Sequence, residues 1–129
     1  MDFSLSEEQQ MMVDTLQRFV DKNYGLETRR HLAASPRGFS QDHWQLFADL
    51  GLLGLMVPEE FGGMAGSPAD VLLVMEQFGR GLVLEPFLSS AVIGVSLIAA
   101  AGSPQQRAQL LPKTVDGSLR LALATLEPC

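Results

Sequence analysis

The sequence is nearly free of cysteine, since its single thiol is Cys129 at the C-terminus. One cysteine excludes a disulfide within the chain and fits a reducing compartment. The two histidines, His31 and His43, fall on different predicted helices, and no spacing matches a known metal motif. We therefore predict no metal site, and we expect both histidines to face solvent.

Basic residues are also scarce, because nine Lys and Arg stand against 15 Asp and Glu, giving a net charge of -6. An acidic surface excludes nucleic acid and anionic membranes as favoured partners. The most apolar run, residues 87–101, is too short to span a bilayer. The acidic N-terminus lacks the basic start of a signal peptide. We therefore expect a cytoplasmic protein without a membrane span.

Hydrophobic residues are plentiful, at 47% of the chain, and they recur at helical spacing. Four serines are placed to cap helix starts: Ser6, Ser40, Ser67 and Ser103. Ser6 and Ser103 each precede a glutamine by three residues, the pattern of a capping box. The pattern predicts an all-α, up-and-down bundle of about six helices.

Two stretches stand apart from the amphipathic helices. Residues 54–66 are rich in glycine and proline and predict a loop. Residues 87–101 are apolar on most sides, so we expect a helix enclosed at the centre of the bundle. Residues 119–125 are short and alternate poorly, and they could begin a strand.

The residues alone indicate no catalytic set. No Gly-x-Ser-x-Gly motif occurs, and Ser89 and Ser90 read better as small residues at a helix contact than as nucleophiles. The glycine-rich loop after Phe61 has neither the preceding strand nor the lysine of a phosphate-binding loop. The adjacent Glu59 and Glu60 are expected to face solvent.

Four stretches, taken in order, resemble the acyl-CoA dehydrogenase family. Residues 50–63, LGLLGLMVPEEFGG, resemble the family's LGLLGL-x-VPEE-[FY]-GG, and residues 76–81, EQFGRG, resemble EELGRG. Residues 102–117 resemble G-[ST]-x-x-Q…LP…G, and residues 122–128, ALATLEP, resemble the start of a flavin-contact segment. The resemblance covers essentially the whole chain.

The resemblance implies a helical N-terminal domain over residues 1–118 and the start of a middle β-domain over residues 119–129. Such enzymes dehydrogenate acyl-CoA thioesters at the α and β carbons, using FAD and a glutamate base, and pass electrons to an electron-transfer flavoprotein. The base and most of the FAD site are expected beyond Cys129. We therefore expect no catalytic residue in this chain, no activity or FAD binding by the chain alone, and a homo- or hetero-oligomeric parent.

The resemblance also implies site residues. Ser89 and Ile93 match positions that face the acyl chain of the substrate. Leu123, Thr125 and Leu126 match the flavin-contact segment. Leu126 stands where the family usually presents a hydroxyl to the flavin, so a hydrogen bond to the cofactor is expected to be missing there.

Three hypotheses for the function of the chain fit the sequence. The chain is part of a flavin-dependent acyl-CoA dehydrogenase, or it is a non-catalytic helical partner of such an enzyme. A variant of the second reading is the small, degenerate subunit of a two-gene dehydrogenase, which the departure at Leu126 slightly favours. The third reading is an unrelated helical interaction protein.

Overall fold

The computed structural model describes residues 4–125, which form six α-helices and no strand. The helices are α1 (Glu7–Asn23), α2 (Leu26–Ala33), α3 (Gln41–Asp49), α4 (Pro68–Gly81), α5 (Val95–Ala101) and α6 (Pro104–Val115). Two 3₁₀ turns cover Leu52–Gly54 and Glu59–Phe61, and a π-helix covers Leu88–Gly94. The predicted all-α class is confirmed. Among the described residues, no helix combines the length and apolar character that crossing a bilayer requires.

The helix starts follow the serine caps. Ser6 accepts a hydrogen bond from the Gln9 backbone N–H at 3.1 Å, and the Gln9 side chain accepts one from the Ser6 N–H. Ser103 and Gln106 form the same reciprocal pair ahead of α6. The remaining predicted starts are also confirmed, since α3 and α4 begin directly after Ser40 and Ser67.

One compact unit consists of residues up to Ser40 together with Pro68–Leu84, and so contains α1, α2 and α4. α1 packs against α4 through buried side chains that include Leu16, Phe19, Val74 and Phe78. Gly81 lets the end of α4 come close, because a Cβ there would lie 2.5 Å from a methyl of Val20. The core of this unit forms where the apolar faces of α1 and α4, two amphipathic helices, pack together.

The second compact unit consists of Gln41–Ser67 and the chain from Glu85 onward. Its largest fully buried side chains are Trp44, Phe47, Phe87, Leu53, Leu111, Val57 and Val95. The Trp44 indole N–H donates to the Gly117 carbonyl at 3.0 Å. Gly117 has φ +78°, a conformation that glycine adopts without strain.

Residues 54–66 are more ordered than a plain loop, which corrects the sequence-based expectation. The 3₁₀ turn Glu59–Phe61 interrupts them, and the chain then folds back on itself. The N–H groups of Met64 and Gly66 donate to the carbonyls of Gly54 and Leu55, at 2.9 and 2.7 Å. A Cβ on Gly63 would lie 2.0 Å from the Val57 carbonyl oxygen. Hydrogen bonds over three residues and backbone contacts leave no hydrophobic period, so the sequence pattern did not reveal them.

Candidate functional site

The candidate site is built on one helical segment, residues 87–101, and on the chain that follows α6. The segment begins at Phe87, continues as the π-helix Leu88–Gly94 and ends as α5. The predicted helix over 87–101 is therefore confirmed. Its π form was not predicted, because the i→i+5 hydrogen bonds of a π-helix have no simple sequence pattern. π-Helices are rare in proteins, but those that occur often lie at functional sites.

The 87–101 helix buries only one side. Phe87, Ser90, Ala91, Gly94 and Val95 are buried. The other side exposes an apolar stripe, with Leu88 45%, Ile93 41% and Leu97 49% exposed. The prediction that this helix lies at the centre of the bundle is wrong for residues 4–125, because one of its sides stays exposed. An apolar sequence shows that a helix needs cover, but it does not show which chain or ligand supplies the cover.

The two predicted substrate-facing residues differ in their surroundings. Ile93 belongs to the exposed apolar stripe. Ser89 is half-buried, and its hydroxyl donates to the Pro86 carbonyl at 3.2 Å within its own helical turn. Residues 87–101 contain no ionisable side chain. This surface can bind an apolar group, but it holds no acid or base for catalysis.

The chain after α6 lies against the buried side of the 87–101 helix. The Leu121 N–H donates to the Ser90 hydroxyl oxygen at 2.9 Å. A Cβ on Gly94 would lie 2.5 Å from the Leu121 Cβ. Leu121 also packs on a core cluster that contains Val57 and Val95. Ser90 is thus a small residue at a buried contact, as predicted, but its partner was not foreseen.

The predicted flavin-contact residues follow directly. Leu123 is 47% exposed, and Thr125 is exposed as well. Residues 119–125 contain no regular secondary structure, so their assignment to a β-domain stays a prediction. Leu126, the third predicted flavin contact, lies outside the described residues.

One buried polar contact in this unit was missed by sequence reasoning. The His43 Nδ1 lies 3.2 Å from a carboxylate oxygen of Glu85, whose side chain is fully buried. The His43 side chain is only 17% exposed, so the expectation that it faces solvent is wrong, whereas His31 is exposed as expected. The sequence has no local pattern that pairs His43 with Glu85, because they lie on separate elements. The hint was that Glu85 stands just before an apolar helix, where a buried charged group needs a partner.

The remaining acidic groups carry no site within the described residues. Glu59 and Glu60 are exposed, as expected. Residues 4–125 contain no group of three His, Cys, Asp or Glu side chains that could hold a metal ion. Hydrogen bonds from the Ser118 hydroxyl and backbone N–H lower the pKa of Asp116, and the charge of Lys113 lowers it further. This carboxylate stabilises the turn after α6.

Comparison with known proteins agrees with the fold just described. The model of the N-terminal domain of acyl-CoA dehydrogenases matches residues 6–118. The chain belongs to this family. The acyl-CoA dehydrogenase IpdE2 of Mycobacterium tuberculosis is 37% identical over 123 residues, which are 95% of this chain and 37% of that protein. The chain spans about a third of the length of such curated relatives.

Two solved structures extend the comparison. The ChsE4–ChsE5 complex from Mycobacterium tuberculosis contains a chain with TM-score 0.84 and 27% identity, over 95% of this chain and 34% of that one. An acyl-CoA dehydrogenase from Bacillus anthracis, complexed with FAD, gives TM-score 0.79 and 26% identity, over 92% of this chain and 20% of that one. The helical arrangement is therefore that of the family's N-terminal domain.

Proposed function

We propose that the chain is the N-terminal part of a flavin-dependent acyl-CoA dehydrogenase and supplies one wall of its acyl pocket. The observation that carries this proposal is the exposed apolar stripe of Leu88, Ile93 and Leu97 on a helix without ionisable side chains. Covering apolar surface contributes about 0.8 kcal/mol for each buried methylene, so such a stripe suits a fatty acyl chain. Within the stripe, Ile93 faces the acyl chain, and Ser89 lies four residues before it.

The division of the chain supports the same proposal. We place the helical domain in residues 1–118 and the start of the middle β-domain in residues 119–129. The family model ends at residue 118, and the helical structure ends shortly before that position, at Val115. The remaining catalytic parts, including the base, then belong to the rest of the parent enzyme, and the 129-residue chain alone is inactive.

FAD is the proposed cofactor of the parent. The similarity to a dehydrogenase complexed with FAD supports it. FAD supplies the hydride acceptor when it is bound. Leu123, Thr125 and Leu126 would contact its edge, and an electron-transfer flavoprotein is the proposed electron acceptor of the parent.

The pocket wall can be tested with the parent enzyme by replacing Ile93 with the larger phenylalanine. Ile93→Phe should lower kcat/KM for long acyl-CoA substrates by about tenfold or more, and for short ones much less, because pocket sterics discriminate at that scale. Leu72→Phe is the matched control, since Leu72 is 68% exposed on α4. Equal losses for long and short substrates would contradict the acyl-wall assignment.

The second candidate is a small, degenerate subunit of a two-gene dehydrogenase. The similarity to a chain of the ChsE4–ChsE5 complex favours it, as does leucine at position 126. In the parent, Leu126→Thr should then tighten FAD binding by up to about tenfold, because a net hydrogen bond contributes about 0.5–1.5 kcal/mol. Unchanged or weaker FAD affinity means that position 126 is not a degraded flavin contact.

The intact mass and flavin absorbance of the purified protein separate the remaining possibilities. The 129-residue chain should be colourless after gel filtration and should not oxidise acyl-CoA with an artificial electron acceptor. A larger native mass with a flavin band supports the single-chain parent. A native complex with a second dehydrogenase chain supports the two-gene reading. A yellow, active protein of 129 residues contradicts both.

A further inference from the structure

The hydrogen bond between Ser90 and Leu121 joins the 87–101 helix to residues 119–125. This segment contains the predicted flavin contacts Leu123 and Thr125. Ser90 is only 1% exposed, and its hydroxyl oxygen accepts the Leu121 N–H at 2.9 Å. The neighbouring Ser89 hydroxyl bonds within its own turn instead, to the Pro86 carbonyl. Two adjacent serines therefore have different tasks, one local and one long-range.

Gly94 completes the contact from the same side of the helix. A Cβ on Gly94 would lie 2.5 Å from the Leu121 Cβ and 3.0 Å from its Cδ1. A side chain at position 94 would thus push residue 121 away from the helix. Ser90 and Gly94 both lie in the π-helix Leu88–Gly94.

The contact limits where the following residues can go. Thr125 lies four positions after Leu121, and an extended chain covers at most about 3.6 Å for each residue. Thr125 therefore stays within about 14 Å of the point where Leu121 meets the helix. The other side of that helix carries the apolar stripe with Ile93. The helix therefore limits how far the flavin-contact segment can lie from the apolar stripe.

We propose that Ser90 is a positioning residue. Together with Gly94 it holds Leu121 against the helix, a contact that we call the seat, and thereby limits where Thr125 can approach the flavin. The effect on the flavin rests on the proposed function, whereas the seat itself does not. Ser90 is buried, and its hydroxyl oxygen accepts the backbone N–H of Leu121. It acts through the backbone of residue 121.

The seat is tested by amide hydrogen exchange at Leu121, measured by NMR on the 129-residue chain. In the wild type this amide should exchange slowly, and Ser90→Ala should speed its exchange by about tenfold, the scale of one lost hydrogen bond. Ser89→Ala is the matched control and should leave Leu121 unchanged. Fast exchange in the wild type, or equal exchange in Ser90→Ala and wild type, overturns the seat.

Gly94→Ala gives an independent test by sterics. The added methyl should speed Leu121 exchange more than Ser90→Ala does, while the helical amides of α6 stay protected. Gly79→Ala is the control, because open space surrounds that position on α4. If Gly94→Ala does not fold, the comparison of Ser90→Ala with Ser89→Ala still decides the matter. Unchanged Leu121 exchange in a folded Gly94→Ala variant also overturns the seat.

The positioning role is tested in the full dehydrogenase. Ser90→Ala should lower kcat, with little change in KM for acyl-CoA, because the apolar stripe is untouched. Faster Leu121 exchange with unchanged kcat means that the seat is structural only, which overturns the positioning role. If the wild-type enzyme itself has no dehydrogenase activity, the proposed function fails, and the exchange data still decide the seat.

Discussion

In the unit of α1, α2 and α4, the backbone is regular and the core is made by side chains that interlock between α1 and α4. Its close glycine contact is Gly81 against Val20. The unit that begins at Gln41 uses the backbone differently. It combines two 3₁₀ turns with a π-helix, and Gly63 and Gly94 stand where a Cβ would lie 2.5 Å or less from neighbouring atoms.

The difference indicates which changes each unit tolerates. Where side chains fill the space between regular helices, losing volume is the main danger. Where backbone segments touch, adding a single methyl group is a danger as well. The candidate site lies in the second unit, so its geometry depends on contacts that only small residues allow.

The largest expected effect is at Trp44 in the second unit. Its ring fills the core, and its indole N–H donates to the backbone carbonyl of Gly117. Trp44→Ala should lower the free energy of unfolding by about 3–5 kcal/mol, because a fully buried aromatic side chain is removed. Trp44→Phe keeps most of the ring but leaves the Gly117 carbonyl without its indole donor, so it should lose about 1–3 kcal/mol. Urea unfolding measures both, and a Trp44→Phe protein as stable as wild type would show that the hydrogen bond is unimportant.

Adding one methyl group should have opposite effects at Gly63 in the second unit and at Gly79 in the first. Gly63→Ala should destabilise by about 1–3 kcal/mol, because its Cβ would collide with the Val57 carbonyl. Gly79→Ala should stabilise by about 0.5–1 kcal/mol, because α4 gains helix propensity and nothing lies within 4 Å of the new methyl. Thermal unfolding of the two variants beside wild type checks the signs. Shifts of the same sign would break the comparison.

The serine caps should behave alike, since the same local device starts α1 in one unit and α6 in the other. Ser6→Ala and Ser103→Ala should each lower stability by about 1 kcal/mol, the usual effect of losing a cap side chain. Gly in place of either serine is the control and should cost only a few tenths of a kcal/mol. Unequal losses, measured by chemical unfolding, would mean that the cap energy depends on the unit rather than on the local sequence.

The smallest expected effect concerns Asp116, whose pKa is lowered in the folded chain. Because folding lowers this pKa, the ionised carboxylate stabilises the fold at pH values above the ordinary Asp pKa of about 3.9. This contribution disappears as the pH falls through the lower pKa of the folded state. Asp116→Asn should therefore lose about 0.5 kcal/mol or less at neutral pH, because the group is exposed. The loss should vanish in strong acid. A loss that is equal at both pH values would exclude the carboxylate charge as its cause.

Much of the helical framework could be predicted from the sequence, because its signals are local. Ser6 with Gln9 and Ser103 with Gln106 determine two helix starts through hydrogen bonds over three residues. The apolar run 87–101 predicts a helix by its composition, and the ordered motifs around VPEEFGG indicate the family.

The buried contacts and the covered side of the apolar helix could not be predicted from the sequence, because they depend on groups that are far apart in the chain. The burial of Glu85 beside His43 and the π form of Leu88–Gly94 have no local signature. The seat of Leu121 on Ser90 joins residues 31 positions apart. Composition shows that an apolar helix needs cover, but packing decides which side is covered, and here it leaves Leu88, Ile93 and Leu97 exposed.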